Sequence, residues 1–214
     1  MTLRHKTEIS VFAIIILLCN LHLFTNSFPE NTALFPDKLF AGEWWRIFTH
    51  YFAHLSWYHL LIDSAAFLIL FFSINEKNRY LYLTACAAGS LIFPLLFSKI
   101  IYSNGLCGLS GIAHGLMIIA ALEMVENRQT KIIGWIALFA VIIKTIIELT
   151  VSPGALLFLH FGNVGIPVAE CHAGGIIAGG TIYLILKFRS HKKYKSAHLY
   201  KTKTLNYSHR TFSS

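Results

Sequence analysis

Apolar residues gather in six long stretches, at about 9–24, 57–74, 80–101, 109–125, 132–150 and 166–186. A bilayer core about 30 Å thick takes roughly 20 mostly apolar residues per helix. The pattern therefore predicts an all-α membrane protein with six transmembrane helices. Residues 1–186 form the membrane domain, and residues 187–214 form a polar tail expected to be flexible. No small-x-small cleavage site follows the first stretch, so it is expected to stay as a span and not to be removed as a signal peptide.

The polar connectors set the orientation. Arg4 and Lys6 precede the first span, Lys77 and Arg79 separate the second and third, and Arg128 and Lys131 separate the fourth and fifth. The other connectors carry little excess positive charge, and 102–110 and 151–169 carry no Asp, Glu, Lys or Arg. Basic connectors stay on the cytoplasmic side, which predicts that both termini are cytoplasmic. The long connector 25–56 then faces outward. Its Trp44, Trp45, Phe48, Tyr51 and Phe52 suit a headgroup boundary.

Composition agrees. The chain is 55% apolar and 13% charged, against about 25% charged in soluble domains. The formal charge of +8 does not imply a nucleic-acid partner, because eight of the 18 basic residues fall after Leu186. A basic tail behind an apolar span reads as an anchor beside anionic lipid. The four cysteines form no CxxC pair and lie in or beside apolar runs, so they read as small hydrophobes.

Orientation brings chemistry together. The second, fourth and sixth spans all run from outside to inside. His59 lies near the start of the second, Gly108-Leu109-Ser110-Gly111 opens the fourth, and His172 lies about six residues into the sixth. At 1.5 Å per residue that is a depth of roughly 9 Å. Serine is a weak nucleophile until a base takes its proton, and histidine can act as that base near neutral pH. A site just below the outer surface can be reached by water while staying beside a membrane-embedded substrate. Gly175 and Gly179 follow His172 on its own helix face, and such a small-xxx-small stripe lets another helix approach closely. The expected neighbour is the fourth span, which would bring His172 to Ser110. Buried histidines in ordinary helix packing are the alternative.

The chain resembles the rhomboid intramembrane proteases. The resemblance runs from Trp45-Arg46 through Thr49-His50, His54 and His59 to Gly-Leu-Ser-Gly at 108–111, then to His172 with Gly175 and Gly179. It covers about residues 40–185. It implies a six-helix rhomboid fold and a serine endopeptidase with a Ser110–His172 dyad and no third acid. It also implies oxyanion support from His59 and the Ser110 backbone N–H, in a segment that includes Gly108 and Leu109, with Gly111 at the helix contact. His50 and His54 would belong to a structural first loop. No cofactor is implied. Within the family the chain looks most like the rhombosortases: it is short, its nucleophile motif reads Gly-Leu-Ser-Gly-Ile-Ala-His-Gly, and Lys144 with Glu148 lie in its fifth span. That likeness implies an inner-membrane enzyme of Gram-negative bacteria, its site toward the periplasm, that removes C-terminal GlyGly-CTERM segments from membrane-anchored proteins. A general rhomboid protease and a non-catalytic client-binding relative are the alternatives.

Several positions stay open. Rhomboids usually carry Asn where this chain has Asp63. Asp63 could be protonated and donate a hydrogen bond as Asn would, or pair with a cation. His114, one turn below Ser110, is a rival base or a helper. Lys144 and Glu148 have the i,i+4 spacing of a structural ion pair, although intramembrane charges are functional candidates by default. Glu170 stands near the mouth and either faces water or reads substrate. Histidines 50, 54 and 59 suggest a metal, but the segment 50–54 lacks the Glu of an HExxH motif, so no metal is expected.

Overall fold

A computed structural model describes the backbone of residues 3–152 and 154–211, with side chains described from residue 5 to residue 190 apart from 153. Among these residues the architecture is helical. Six longer helices are α1 (Leu3–Cys19), α2 (Trp57–Ser73), α3 (Arg79–Phe97), α4 (Ser110–Glu126), α5 (Lys131–Thr150) and α6 (Ala169–Thr211). The one extended pairing among the described residues is an isolated antiparallel bridge between Leu34 and Leu106.

By length and composition, three helical stretches can cross a membrane: Arg79–Phe97, Lys131–Thr150 and Ala169–Ser190. A fourth arises if Arg46–Phe52 and Trp57–Ser73 form one span, bent by 97°. The described residues thus give three to four candidate spans where the apolar runs predict six. The shortfall lies in α1, α2 and α4, which have 17 residues each and so reach only about 25 Å.

Local chemistry explains the early ends. Asn20 stops α1 short of the expected residue 24. Its side-chain amide donates to Ile16 O at 2.7 Å and Phe52 O at 2.6 Å, and its Oδ1 accepts from His54 N at 2.9 Å. Asn20 is buried, so these bonds tie the end of α1 to the 50–54 turn. Helix α2 opens at Ser56, whose hydroxyl accepts the His59 backbone N–H at 3.0 Å, the usual N-terminal cap. Helix α6 continues without a break through the basic tail as far as Thr211.

The centre of the fold is α4, packed against α2, α3, α5 and α6. Phe67 and Phe71 of α2, Tyr82 and Cys86 of α3, Ile112, Leu116 and Ile119 of α4, and Tyr183 of α6 form its apolar core. Between α4 and α6 the contact is main chain to main chain. A Cβ at Gly175 would collide with Gly111 O, and one at Gly179 with Gly115 O. A second seam pairs Gly89 of α3 with Gly174 of α6. In lipid, helices gain little hydrophobic free energy from associating, so close van der Waals contact carries the packing. Outward-facing Leu61, Ile69, Leu96, Ile136, Phe139 and Ile177 leave the flanks apolar.

The 26–56 connector is built around buried polar groups. The Arg46 guanidinium donates to Glu30 O at 2.7 Å, to Ala33 O, and to the Glu43 carboxylate through Nε at 2.7 Å. His50 donates from Nδ1 to Arg46 O at 2.7 Å. The aromatic residues of this connector divide into two groups. Trp44, Trp45 and Phe48 are exposed, as a headgroup contact requires, whereas Tyr51 is buried and donates its hydroxyl to Ala87 O at 2.6 Å. Tyr51 is therefore a brace between the connector and α3.

Candidate active site

The segment that delivers Ser110 is pinned from both sides. Leu106 exchanges backbone hydrogen bonds with Leu34, and Gly108 N donates to His50 O at 2.9 Å. Gly108 has φ +106°, a conformation few side chains adopt. A Cβ there would also press on the Asp63 carboxylate and the His59 ring. Leu109 is buried in the apolar core, and Ser110 is the first residue of α4, where backbone N–H groups have no helical partner.

From Ser110 a continuous polar chain runs across three helices. The hydroxyl of Ser110 lies 3.0 Å from His172 Nε2. His172 Nδ1 lies 2.8 Å from Glu148 Oε2. A carboxylate only accepts, so this bond places the imidazole proton on Nδ1 and leaves the Nε2 lone pair facing Ser110. The other oxygen of Glu148 accepts from the Lys144 ammonium at 2.6 Å. Lys144 also donates to His114 Nε2 at 3.1 Å, and His114 Nδ1 donates to Ser110 O at 2.7 Å. The rings of His114 and His172 stack at 3.9 Å with 12° between their planes. Both nitrogens of His114 are thus engaged away from the Ser110 hydroxyl.

Opposite Ser110 stands a second histidine–carboxylate pair. His59 Nδ1 accepts the Leu55 backbone N–H at 3.3 Å, so the proton of the neutral ring sits on Nε2. That nitrogen lies 3.2 Å from Asp63 Oδ2, and His54 Nε2 lies 3.7 Å from the same oxygen. Of the arrangements open for Asp63, the one observed sets its carboxyl between two imidazoles.

Both pairs line one cavity of about 610 Å³. Its walls include His59, Asp63, Cys107, Ser110, His114, Lys144, Glu148 and His172, and its rim includes Phe28, Glu30 and 164–168. Glu170, in the first turn of α6, is not part of this lining. Gly111, Gly175 and Gly179 lie behind the cavity, in the seam that sets the α4–α6 distance. Cys107 stands beside Ser110, but burial, reinforced by the Asp63 carboxylate, pushes its thiol up to about 12. It is therefore a neutral thiol.

Two features go beyond what the sequence predicts. Glu148 does pair with Lys144, as its spacing requires, yet it also reaches His172. The one hint was an ionisable residue inside an apolar run. The other is a tether over the cavity: the Ser56 hydroxyl donates to Asn163 O, and Tyr58 Oη accepts from Phe161 N at 3.2 Å. As for a metal, His114, Glu148 and His172 offer ligand atoms within 4.8 Å of one another. The Lys144 ammonium stands against two of them, where a cation would sit.

Residues 41–189 of the chain match the Rhomboid domain family. Comparison with curated proteins and with solved structures returns no match. The family match spans more than half of the chain and contains every residue of the polar chain and of the opposing pair. The protein therefore belongs to the rhomboid family, whose members are serine intramembrane peptidases.

Proposed function

We propose that the protein is an intramembrane serine endopeptidase with Ser110 as nucleophile and His172 as general base. The observation that carries this reading is the 3.0 Å contact between Ser110 Oγ and an imidazole nitrogen whose lone pair is free to accept. In this mechanism His172 takes the hydroxyl proton as Ser110 attacks a peptide carbonyl. The resulting oxyanion is held by the Ser110 backbone N–H, at the start of α4, and by His59 Nε2–H, whose ring is oriented by the Leu55 N–H and by Asp63. His172 then protonates the leaving amine, and water repeats the sequence on the acyl-enzyme. Six crossings, both termini in the cytoplasm and a site toward the periplasm complete the reading, with the tail after 186 as a basic cytoplasmic extension.

The substrate class is membrane-anchored protein, and the subfamily reading is rhombosortase: removal of a C-terminal GlyGly-CTERM segment at the inner membrane. The motif Gly-Leu-Ser-Gly-Ile-Ala-His-Gly and the Lys144–Glu148 pair support it. A fluorophosphonate probe on the detergent-solubilised protein should label Ser110 and leave Ser110→Ala unlabelled. Equal labelling of the two would overturn the protease reading. Co-expression with a GlyGly-CTERM protein should shorten that protein. No shortening, together with cleavage of an ordinary single-span substrate, would remove the rhombosortase assignment and leave the protease.

A further inference from the structure

We infer that Glu148 is a third member of the site, a positioning carboxylate that makes Ser110, His172 and Glu148 a triad. This rests on the protease reading above but departs from the two-residue machinery that the resemblance implies. Three observations carry it. Glu148 Oε2 lies 2.8 Å from His172 Nδ1, both side chains are at least 95% buried, and the acceptor fixes the proton on the nitrogen remote from Ser110. The carboxylate also comes from α5, a different helix from either partner, so the bond sets the rotation of the ring about its own axis. Stacking on His114 alone sets only the ring plane.

Lys144 gives the arrangement its direction. Its ammonium lies 2.6 Å from Glu148 Oε1 and donates only. The ammonium gives Glu148 Oε1 a fixed partner in an apolar setting, where an unpaired carboxylate would be costly. The two carboxylate oxygens therefore divide their partners, with Oε1 accepting from the ammonium and Oε2 from the imidazole. When His172 accepts the Ser110 proton, the new imidazolium faces a negative charge that is already in place. No reorganisation is needed at that moment, the condition under which such charges contribute most.

This division makes a sharp test. In Glu148→Gln the amide oxygen must face Lys144, so the amide NH2 faces His172 Nδ1. That nitrogen must then accept, and the ring proton moves to Nε2, where it blocks the base. The analogous carboxylate-to-amide exchange in a soluble triad costs about 10⁴ in rate for this reason. The experiment uses the full-length protein in detergent, fluorophosphonate labelling of Ser110, and ¹⁵N spectra of labelled histidine, with His172→Ala to assign the signal. In Glu148→Gln we expect labelling at least ~100-fold slower, melting close to the parent, and a His172 signal moved from the Nδ1–H to the Nε2–H tautomer. In Glu148→Ala, added formate should restore part of the labelling by entering the cavity that Glu148 lines.

Labelling of Glu148→Gln within a few fold of the parent, or an unchanged His172 tautomer, overturns the triad. If Glu148→Gln does not accumulate as folded protein, the formate arm decides: no response to formate overturns the inference. Failure of the parent itself to be labelled removes the protease reading. The parent's tautomer then still tests the Glu148–His172 bond, so the two failures are told apart.

Discussion

Two connectors border the cavity, and they are built on opposite principles. The 26–56 connector folds around buried polar groups, with Arg46, His50 and His54 all less than 2% exposed. The 151–168 connector has no acidic or basic residue except His160. It leaves Phe158, Leu159 and Phe161 facing outward and is held to α2 mainly through Ser56 and Tyr58. The first is scaffold, because many buried bonds depend on one geometry. The second is cover, because few bonds hold it and its apolar side chains are not committed to the core. The difference lies in how each is held: buried hydrogen bonds fix the first connector, whereas the second carries exposed apolar side chains.

The largest effect should come from breaking the scaffold. Arg46→Ala leaves Glu30 O and Ala33 O without their donor and removes the partner of Glu43, which should cost about 3 kcal/mol. Thermal unfolding in detergent measures it, and a loss below about 0.5 kcal/mol would put Arg46 on the same footing as a surface ion pair.

Acid should come next. Burial pulls His54 down to about 4, against attraction from the Asp63 carboxylate. Its folded value lies below its unfolded one near 6.5, so this stability is fully present above pH 6.5 and is lost as pH falls toward 4. The loss should reach about 2 kcal/mol at pH 4.5, with amide exchange rising in the 50–56 turn. Unchanged exchange there between pH 7 and 4.5 would contradict a neutral buried ring.

The smallest effect should come from the cover. Tyr58→Phe removes one exposed bond to the cover and leaves the Ser56 cap of α2 in place, and should cost less than about 1 kcal/mol. Amide exchange in 155–165 should nevertheless rise markedly while 46–54 stays protected. Equal loosening of both segments would erase the distinction between them.

The same contrast separates what was readable in the sequence from what was not. Apolar runs fall on the six longer helices, because helix faces turned to apolar surroundings are themselves apolar, although only three to four candidate spans have the length and composition to cross a membrane. That Ser110, His59 and His172 stand near the starts of three apolar runs was readable before any family likeness was used, and the structure sets all three around one cavity. Position along a helix is legible in this way; rotation about its axis is not. Whether Glu148 looks toward lipid or toward His172 depends on how α5 turns against α6, and no local pattern encodes that. The end of α1 was hidden for a related reason. Asn20 stops the helix by bonding to Phe52 and His54, more than 30 residues away.

The glycine seam between α4 and α6 has a consequence for how such a chain can change over time. Because Gly111 and Gly115 meet Gly175 and Gly179 through main chain, the Ser110–His172 spacing is referred to peptide geometry, which no substitution alters. Residues on the lipid side, such as Ile136 and Ile177, are free to drift toward thicker or thinner bilayers. One surface of each helix can therefore adapt to a new membrane while the opposite surface keeps its length standard, and any methyl group added to the seam would remove that independence.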